Sequence, residues 1–168
     1  MSVAYPDHWV RRIIDAHGSA LLGYANSRLG DLGDAEEVVQ ETLLRAWRYR
    51  DSFDADKGTE RMWLFGICRN QVASRAPVQQ RVAVPADAVD VGVEDRDLNR
   101  LAEASFVAEM LARLSSEHRE VIVLTIDQGL TTRDVALLLS ISPGTVKSRL
   151  HYGLKAMRAL LEAEGVLR

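Results

Sequence analysis

The sequence contains one cysteine, Cys68, among its 168 residues. A lone cysteine excludes an intramolecular disulfide and a zinc site built from several cysteines, and it fits a reducing compartment. No apolar run approaches the roughly 20 residues that a membrane-spanning helix needs, and the first residues lack the charged-then-apolar pattern of a signal peptide. We therefore expect a cytoplasmic protein that does not insert into a membrane.

Glycine and proline are also scarce, with 11 and 4 residues, and aromatic residues make up 6% of the chain. The long runs of helix-forming residues between these helix breakers predict an all-α protein. Residues 76–97 differ, since they hold two prolines and an acidic end and show no helical period. The sequence therefore predicts two small helical domains, residues 1–76 and 99–168, joined by a flexible linker over residues 77–98.

Acidic residues are absent from Val135 through Leu161, although the whole chain carries a net charge of −3. The cations inside this acid-free stretch are Lys147, Arg149, Lys155 and Arg158. A locally basic segment on an acidic chain indicates a binding site for a polyanion, and it excludes a basic coat over the whole protein.

The same stretch carries the signals of two helices joined by a tight turn. Thr131 is placed to cap the first helix, with Asp134 in capping-box position. Ser142 is placed to cap the second helix, and Pro143 suits its first turn because that nitrogen needs no intrahelical partner. Apolar residues at three- and four-residue spacing predict one buried stripe on the second helix, formed by Val146, Leu150, Leu154, Met157 and Leu161.

Two further helices are predicted ahead of this pair, which gives a four-helix C-terminal domain with a helix-turn-helix. One covers residues 103–114, and the next is capped by Ser115 and ended by Gly129. On the last helix, small and polar side chains flanked by cations point away from the predicted stripe, which is typical of a helix that enters the major groove of DNA. Charge and spacing alone leave open an ordinary amphipathic helix pair with a solvated basic face.

The N-terminal block is predicted to contain a helix over residues 8–28, interrupted at Gly18, and a second helix capped by Asp34. The exposed face of the second helix carries a polar stripe with one leucine, formed by Glu37, Gln40, Glu41, Leu44 and Arg48. A third helix covers residues 60–75. Its predicted buried residues are Trp63, Leu64, Ile67 and Cys68. Those predicted to point away or to lie at the margin are Phe65, Arg69 and Asn70.

Three segments together resemble one known family. Residues 34–54 (DAEEVVQETLLRAWRYRDSFD) and 61–75 (RMWLFGICRNQVASR) are similar to conserved region 2 of the sigma-70 family. Residues 114–161, which include the specific core GTVKSRLH, are similar to region 4. These segments cover about half of the chain in the right order, and the extracytoplasmic-function (ECF) group of sigma factors has only regions 2 and 4.

The resemblance implies that the protein binds core RNA polymerase and directs it to promoters. Region 2 of such proteins docks on the clamp coiled coil of the β′ subunit and opens the −10 element, and the polar stripe is then the expected polymerase surface. Region 4 contacts the β flap and places its recognition helix in the −35 element. The expected −10 contacts are Phe65, Arg69, Asn70 and Arg75. The expected −35 contacts are Thr145, Lys147, Ser148, Arg149 and His151.

The resemblance also implies what this chain does not supply. No catalytic residue, metal or cofactor is expected, because nucleotidyl transfer and its magnesium ions belong to the polymerase. Family members are often held by an anti-sigma factor, and such a partner is therefore expected.

One departure from the family follows Asn70. The family usually continues this helix with an Asp-x-x-Arg pattern and a basic run, whereas this chain has QVASRAPVQQR. Pro77 is expected to end the helix early, and the basic run is reduced to Arg75 and Arg81. A divergent member and an engineered or internally shortened one both fit this departure, whose expected consequence is altered −10 recognition.

Two other functions fit parts of the sequence. A stand-alone transcription regulator shares the helix-turn-helix, but the N-terminal block lacks an α/β repeat with a paired acidic phosphorylation pocket. An enzyme would need a nucleophile, for which Cys68 is the candidate. Because Cys68 falls on the apolar side of its helix and the four histidines lie in unrelated contexts, the sequence favours a core cysteine.

Overall fold

The computed structural model describes residues 7–75 and 95–167, with side chains over residues 8–75 and 102–167. These residues form helices and no β-strand, which confirms the all-α prediction. The chain divides into two compact units, residues 1–80 and 81–168. The predicted linker lies outside the described residues except for 95–98, which are helical rather than part of a linker.

The first unit contains four helices within the described residues, with α2, α3 and α4 packed against one another. Their bounds are Asp7–Ile13 (α1), Ser19–Leu29 (α2), Leu32–Arg48 (α3) and Glu60–Arg75 (α4). A π-helical turn, Ile14–Gly18, joins α1 to α2, so the interruption predicted at Gly18 is a change of helix type. A short 3₁₀ turn, Arg50–Ser52, follows α3.

The core of the first unit is centred on two buried aromatic rings. Tyr24 of α2 and Phe65 of α4 are both fully buried, and their ring centroids lie 5.5 Å apart in an edge-on arrangement. At the surface, Arg12 of α1 donates two hydrogen bonds, of 2.8 and 2.7 Å, to the carboxylate of Glu60. This fork fastens α1 to the start of α4, and it lowers the pKa of Glu60.

Helix α3 begins earlier than predicted. The side chain of Asp31 accepts a 2.9 Å hydrogen bond from the backbone nitrogen of Asp34, which makes Asp31 the N-cap. The prediction of a cap at Asp34 was wrong because Gly30, with φ of 71°, ends α2 in the left-handed conformation and leaves only a short turn before α3. Asp34 is therefore already in the first turn of the helix.

The second unit holds the predicted four-helix arrangement. Its helices are Asp95–Ala112 (α5), Ser116–Ile122 (α6), Thr132–Leu139 (α7) and Pro143–Ala163 (α8), with a π-helical turn, Val123–Asp127, after α6. The caps predicted at Ser115, Thr131 and Ser142 are confirmed, since each side chain accepts a hydrogen bond from a backbone nitrogen three residues later. Between α7 and α8, Ser140 is left-handed, with φ of 54°, and it forms the tight turn of the helix-turn-helix.

The guanidinium of Arg119 closes the end of α5. It donates to the backbone oxygens of Leu111 and Ala112 at 2.8 Å and to that of Leu114 at 3.1 Å. Carbonyl groups in the last turn of a helix have no intrahelical partner. Arg119 supplies partners for these groups from α6, which fixes α6 against α5 although Arg119 is a charged residue with only 8% exposure.

The buried side of α8 differs from the predicted stripe. Val146 is fully buried as predicted, but Leu154 is 43% exposed, and the neighbouring Gly153 is buried instead. Where α8 passes over α6, a Cβ atom on Gly153 would lie 3.0 Å from Ile122 Cδ1 and 3.1 Å from His118 Cβ. The absence of a side chain at residue 153 lets the two helices approach closely, and this approach turns Leu154 towards solvent.

We expect Gly153→Ala to lower the free energy of unfolding by about 1 kcal/mol or more, because the cost of overpacking exceeds the gain in helix propensity. Urea unfolding followed by circular dichroism measures the change. Gly144→Ala on the same helix is the matched control, because its Cβ would meet only Ser142 Oγ, at 3.7 Å. Equal stability of the two variants would contradict a close helix crossing at Gly153.

Candidate nucleic-acid and protein interfaces

The N-terminal half of α8 carries every residue predicted to contact a −35 element. Thr145 is fixed by the cap, since Ser142 Oγ accepts a 3.0 Å hydrogen bond from its backbone nitrogen and lies 2.8 Å from its hydroxyl. Lys147 and Ser148 are exposed. His151 is exposed as well, and its ring lies edge-on to that of Tyr152, with 5.2 Å between centroids. This half of the helix thus presents polar and cationic groups to solvent.

Part of this surface forms an open depression of about 420 Å³, which we call the α8 depression. Its lining residues are His118, Ser142, Gly144, Thr145, Ser148, Arg149 and Tyr152. Three of the five predicted contacts therefore come together here, while Lys147 and His151 are not among the lining residues. No sequence pattern indicated His118, because its place depends on how α6 packs against α8.

An acidic residue from another helix approaches the basic surface. Arg149 Nη2 donates a 2.9 Å hydrogen bond to Glu117 Oε1, in the first turn of α6. The side chain of Arg149 is 26% exposed and that of Glu117 is 64% exposed. The stretch from Val135 to Leu161 lacks acidic residues in the sequence, but the fold brings one carboxylate to it.

In the first unit, the stripe predicted on α3 lies mostly at the surface. Glu37, Gln40 and Arg48 are exposed, and Glu41 is half-buried and accepts a 2.8 Å hydrogen bond from Arg45 Nε. Leu44 is 50% exposed. A single exposed leucine is common on protein surfaces, so the exposure of Leu44 is compatible with an interface but does not by itself indicate one.

Helix α4 requires a correction to the predicted −10 residues. Phe65 was predicted to point away from the core, but it is fully buried against Tyr24, and a ring in this position cannot stack on a base. Trp63 was predicted to be buried, but it is half-buried and packs against Phe53 with 5.5 Å between ring centroids. Residues two positions apart lie about 200° apart around a helix. The buried face of α4 is rotated by roughly a quarter of a turn from the predicted face, and it is formed by Leu64, Phe65, Cys68 and Val72.

The remaining predicted −10 residues lie nearer the surface. Asn70 and Arg75 are exposed and Arg69 is half-buried. Arg75 Nη1 donates a 2.6 Å hydrogen bond to Glu37 Oε2 on α3. The structure thus joins a residue predicted to contact DNA to one predicted to contact the polymerase. The prediction that Pro77 ends this helix concerns a residue outside those that the structure describes.

Comparison with known proteins identifies the family. Residues 13–82 match the family model for Sigma-70 region 2, and residues 107–157 match that for Sigma-70, region 4. The ECF RNA polymerase sigma factor SigL of Mycobacterium tuberculosis is 36% identical over 163 residues, which cover 95% of this chain and 92% of the relative. The chain belongs to the ECF sigma factors. As a sigma factor, it directs transcription initiation.

Other relatives of this sigma factor agree with the assignment. The RNA polymerase sigma factor NccH of Alcaligenes xylosoxydans xylosoxydans is 29% identical, over 92% of this chain and 88% of the relative. CnrH, solved with the cytosolic domain of CnrY, is 29% identical with a TM-score of 0.72, covering 95% of this chain and 92% of that one. The sigma factor RpoE of Bartonella quintana, solved with the anti-sigma factor NepR, is 26% identical with a TM-score of 0.69. The match covers 90% of this chain and 96% of that one.

The two family matches contain every residue predicted to lie in a site. The region 2 match includes α3 and α4 with the polar stripe and the expected −10 residues, and the region 4 match includes α6, α7 and most of α8. The sigma factor therefore carries its candidate contacts within both conserved regions, one in each compact unit. Family membership does not favour a stand-alone regulator.

Cys68 does not have the environment of a nucleophile. Burial raises the pKa of its thiol to about 11, against a smaller opposing effect of its hydrogen bond with Thr42. The thiol therefore stays protonated at neutral pH, and only a thiolate reacts readily. Complete burial confirms the prediction of a core cysteine.

The described residues contain neither a metal-binding cluster nor a membrane-spanning helix. Across residues 7–75 and 95–167, no three histidine, cysteine or acidic side chains are grouped so that they would hold a metal ion. Over the same residues, no helix is both long and apolar enough to cross a bilayer.

Proposed function

We propose that this sigma factor recognises promoters through one helix in each unit, α8 for the −35 element and α4 for the −10 element, and binds core RNA polymerase through α3. The observation that carries the proposal is the helix-turn-helix formed by α7 and α8, in which the N-terminal half of α8, the recognition half (residues 143–153), has an exposed polar face with cations and no acidic residue. Such a helix fits the major groove, where donors and acceptors distinguish all base pairs.

On α8, we assign each residue a contact with phosphate or with a base edge according to its exposure and charge. Lys147 is an exposed cation and binds phosphate, which sets the register of the helix and makes binding depend on salt. Arg149 and Ser148 line the α8 depression and meet base edges. Thr145 is partly engaged in the cap, and it contributes through its position at the start of the helix, where the backbone dipole favours a phosphate. His151 supplies a further polar contact.

On α4, the proposed −10 surface is centred on Asn70, which is exposed. Trp63 lies two helical turns before Asn70 and therefore shares its side of the helix. Its half-buried ring replaces Phe65 as the aromatic candidate for stacking on an unpaired base, and base–aromatic stacking contributes roughly 1–3 kcal/mol per base. Arg69 and Arg75 contact the phosphates, for which Arg75 must leave Glu37.

On α3, the proposed polymerase surface consists of Leu44 and the charged residues around it. The apolar side chain of Leu44 supplies the buried contact, and the surrounding stripe of Glu37, Gln40, Glu41 and Arg48 forms the polar rim. The expected site on the polymerase is the clamp coiled coil of β′, while region 4 contacts the β flap.

An anti-sigma factor is the proposed regulator, in line with the complex in which RpoE of Bartonella quintana was solved with the anti-sigma factor NepR. Binding of such a partner to either unit would keep the sigma factor from the polymerase. We place the protein in the cytoplasm, since both core polymerase and promoter DNA are there. The proposed role requires no catalysis and no cofactor from this chain.

DNA binding with and without core polymerase tests the proposal. We expect the isolated chain to bind a fluorescent promoter duplex at most weakly, and to form a salt-sensitive, sequence-specific complex once core polymerase is added. Fluorescence anisotropy measures the affinity for the duplex in the absence and in the presence of core polymerase. Tight, specific binding by the chain alone, unchanged by core polymerase, would instead support a stand-alone regulator.

A further inference from the structure

The contact between Glu117 and Arg149 joins the start of α6 to the recognition helix. Glu117 lies 32 positions before Arg149 in the sequence, and its Oε1 accepts the 2.9 Å hydrogen bond from Arg149 Nη2. Glu117 is 64% exposed, so packing does not require a carboxylate here; the helix dipole favours an acidic residue in the first turn of α6, and the contact with Arg149 is an additional role.

This contact restricts the guanidinium of Arg149. A guanidinium is planar and carries five N–H donors in a fixed fork, so anchoring one end fixes the plane in which the others lie. The side chain is only 26% exposed, and it lines the α8 depression together with Ser148 and Thr145. An arginine held in one plane loses less conformational freedom when it binds a base edge.

The charge of Glu117 has a second consequence. The charged residues in the N-terminal half of α8 are all cations. Cations bind the phosphates of any DNA sequence. A carboxylate next to this surface repels phosphates, which lowers the affinity for every sequence alike. Because this penalty is the same for every sequence, it reduces non-specific binding without changing the ratio between two sites, and discrimination depends on the orientation of Arg149.

We propose that Glu117 is a positioning residue for −35 recognition. It orients the guanidinium of Arg149 towards a base edge, and its charge weakens the sequence-independent binding of α8 to DNA phosphates. The inference rests on the proposed function of α8. Glu117, in the first turn of α6, would thus contribute to promoter specificity without touching the DNA.

A double-mutant cycle in reconstituted holoenzyme tests this role. Wild type, Glu117→Ala, Arg149→Ala and the double variant are combined with core polymerase. Single-round transcription is then measured from a preferred promoter and from promoters with single −35 substitutions. We expect Arg149→Ala to remove discrimination at one base pair, and Glu117→Ala to reduce it there by about 2- to 5-fold, the range for an exposed ion pair. The double variant should match Arg149→Ala.

Two further variants separate orientation from charge. Glu117→Gln keeps an oxygen acceptor for Arg149 but loses the charge, so it should retain more discrimination than Glu117→Ala while both bind unrelated DNA more tightly than wild type. Glu162→Ala is the matched control, because it removes a carboxylate paired with another arginine of α8, Arg158, at the same 2.9 Å distance. It should leave discrimination unchanged. Circular dichroism confirms that each variant is folded.

The outcomes distinguish this inference from the function on which it rests. Wild-type discrimination in Glu117→Ala, with a normal loss in Arg149→Ala, would overturn the role of Glu117 alone. An additional loss in the double variant would also overturn it, because Glu117 would then act independently of Arg149. If Arg149→Ala behaved as wild type, the placement of α8 on the −35 element would fail together with this inference.

Discussion

Replacing Arg149 with alanine is expected to reduce initiation from −35-dependent promoters by roughly 5- to 100-fold. A well-placed side chain on a base edge contributes about 1–3 kcal/mol of discrimination, and the guanidinium of Arg149 is held within the α8 depression by Glu117. Binding to core polymerase should be unchanged, because the proposed polymerase stripe lies on α3. Single-round transcription and competition for labelled core polymerase measure the two effects separately.

Arg158→Ala is the matched control for this prediction. Arg158 lies on the same helix, but it is 72% exposed and paired with Glu162 four residues later, and it does not line the α8 depression. We expect its loss to change initiation less than about 2-fold. Equal losses in the two variants would mean that α8 acts through its overall charge, and an active Arg149→Ala would show that the recognition residues are placed wrongly.

Replacing Leu44 with glutamate is expected to weaken the binding of core polymerase by about 10-fold or more. Interface residues that anchor a complex contribute at least about 2 kcal/mol, and the variant would bury a charge in place of an apolar side chain. Transcription should fall at all promoters alike, regardless of their −35 element, because the assembly of the holoenzyme is affected. Fluorescence titration of labelled sigma factor with core polymerase measures the change.

Leu32→Glu provides the comparison. Leu32 begins the same helix and is exposed to a similar extent, 43% against 50%, but it lies about a third of a turn away from the proposed stripe. A glutamate there faces the positive end of the helix dipole and should not destabilise α3. If both variants bind core polymerase as wild type does, or both lose binding equally, the stripe around Leu44 is not the polymerase surface.

Local signals in the sequence predicted much of this fold. The caps at Ser115, Thr131 and Ser142 were predictable because an N-cap depends on the side chain and on backbone nitrogens three residues away. The cap of α3 was misplaced because it depends on the left-handed Gly30, and the sequence offers acidic residues at both Asp31 and Asp34. Here two local signals competed, and the end of the preceding helix decided between them.

Which face of a helix is buried was harder to predict. On α4, Phe65 and Trp63 are both apolar and close in sequence, and the packing of Phe65 against Tyr24 decides which one enters the core. On α8, Leu154 was expected to be buried and Gly153 was not. The close approach of α6 buries Gly153 and leaves Leu154 exposed. The spacing of apolar residues indicates that a segment is helical. The packing of the neighbouring helix determines how that helix is rotated about its axis, and therefore which face is buried.

The expected site residues came from family resemblance, and the fold added contacts that no sequence pattern contains. Glu117 and Arg149 are 32 positions apart, and Glu37 and Arg75 are 38 apart. Each pair joins two helices whose relative placement depends on the whole unit. The first pair changes the interpretation of the basic segment of α8, because Arg149 is held by a carboxylate from α6, outside the acid-free stretch.

The most direct measurement is run-off transcription by core RNA polymerase and this chain over a promoter library randomised at the −35 and −10 elements. We expect transcripts only when the chain is present, with a shared −35 and −10 sequence among the templates used. Arg149→Ala is expected to relax the −35 sequence preference and to leave the −10 preference intact. Transcription independent of the chain, or templates without a common sequence at either element, would contradict the proposed function.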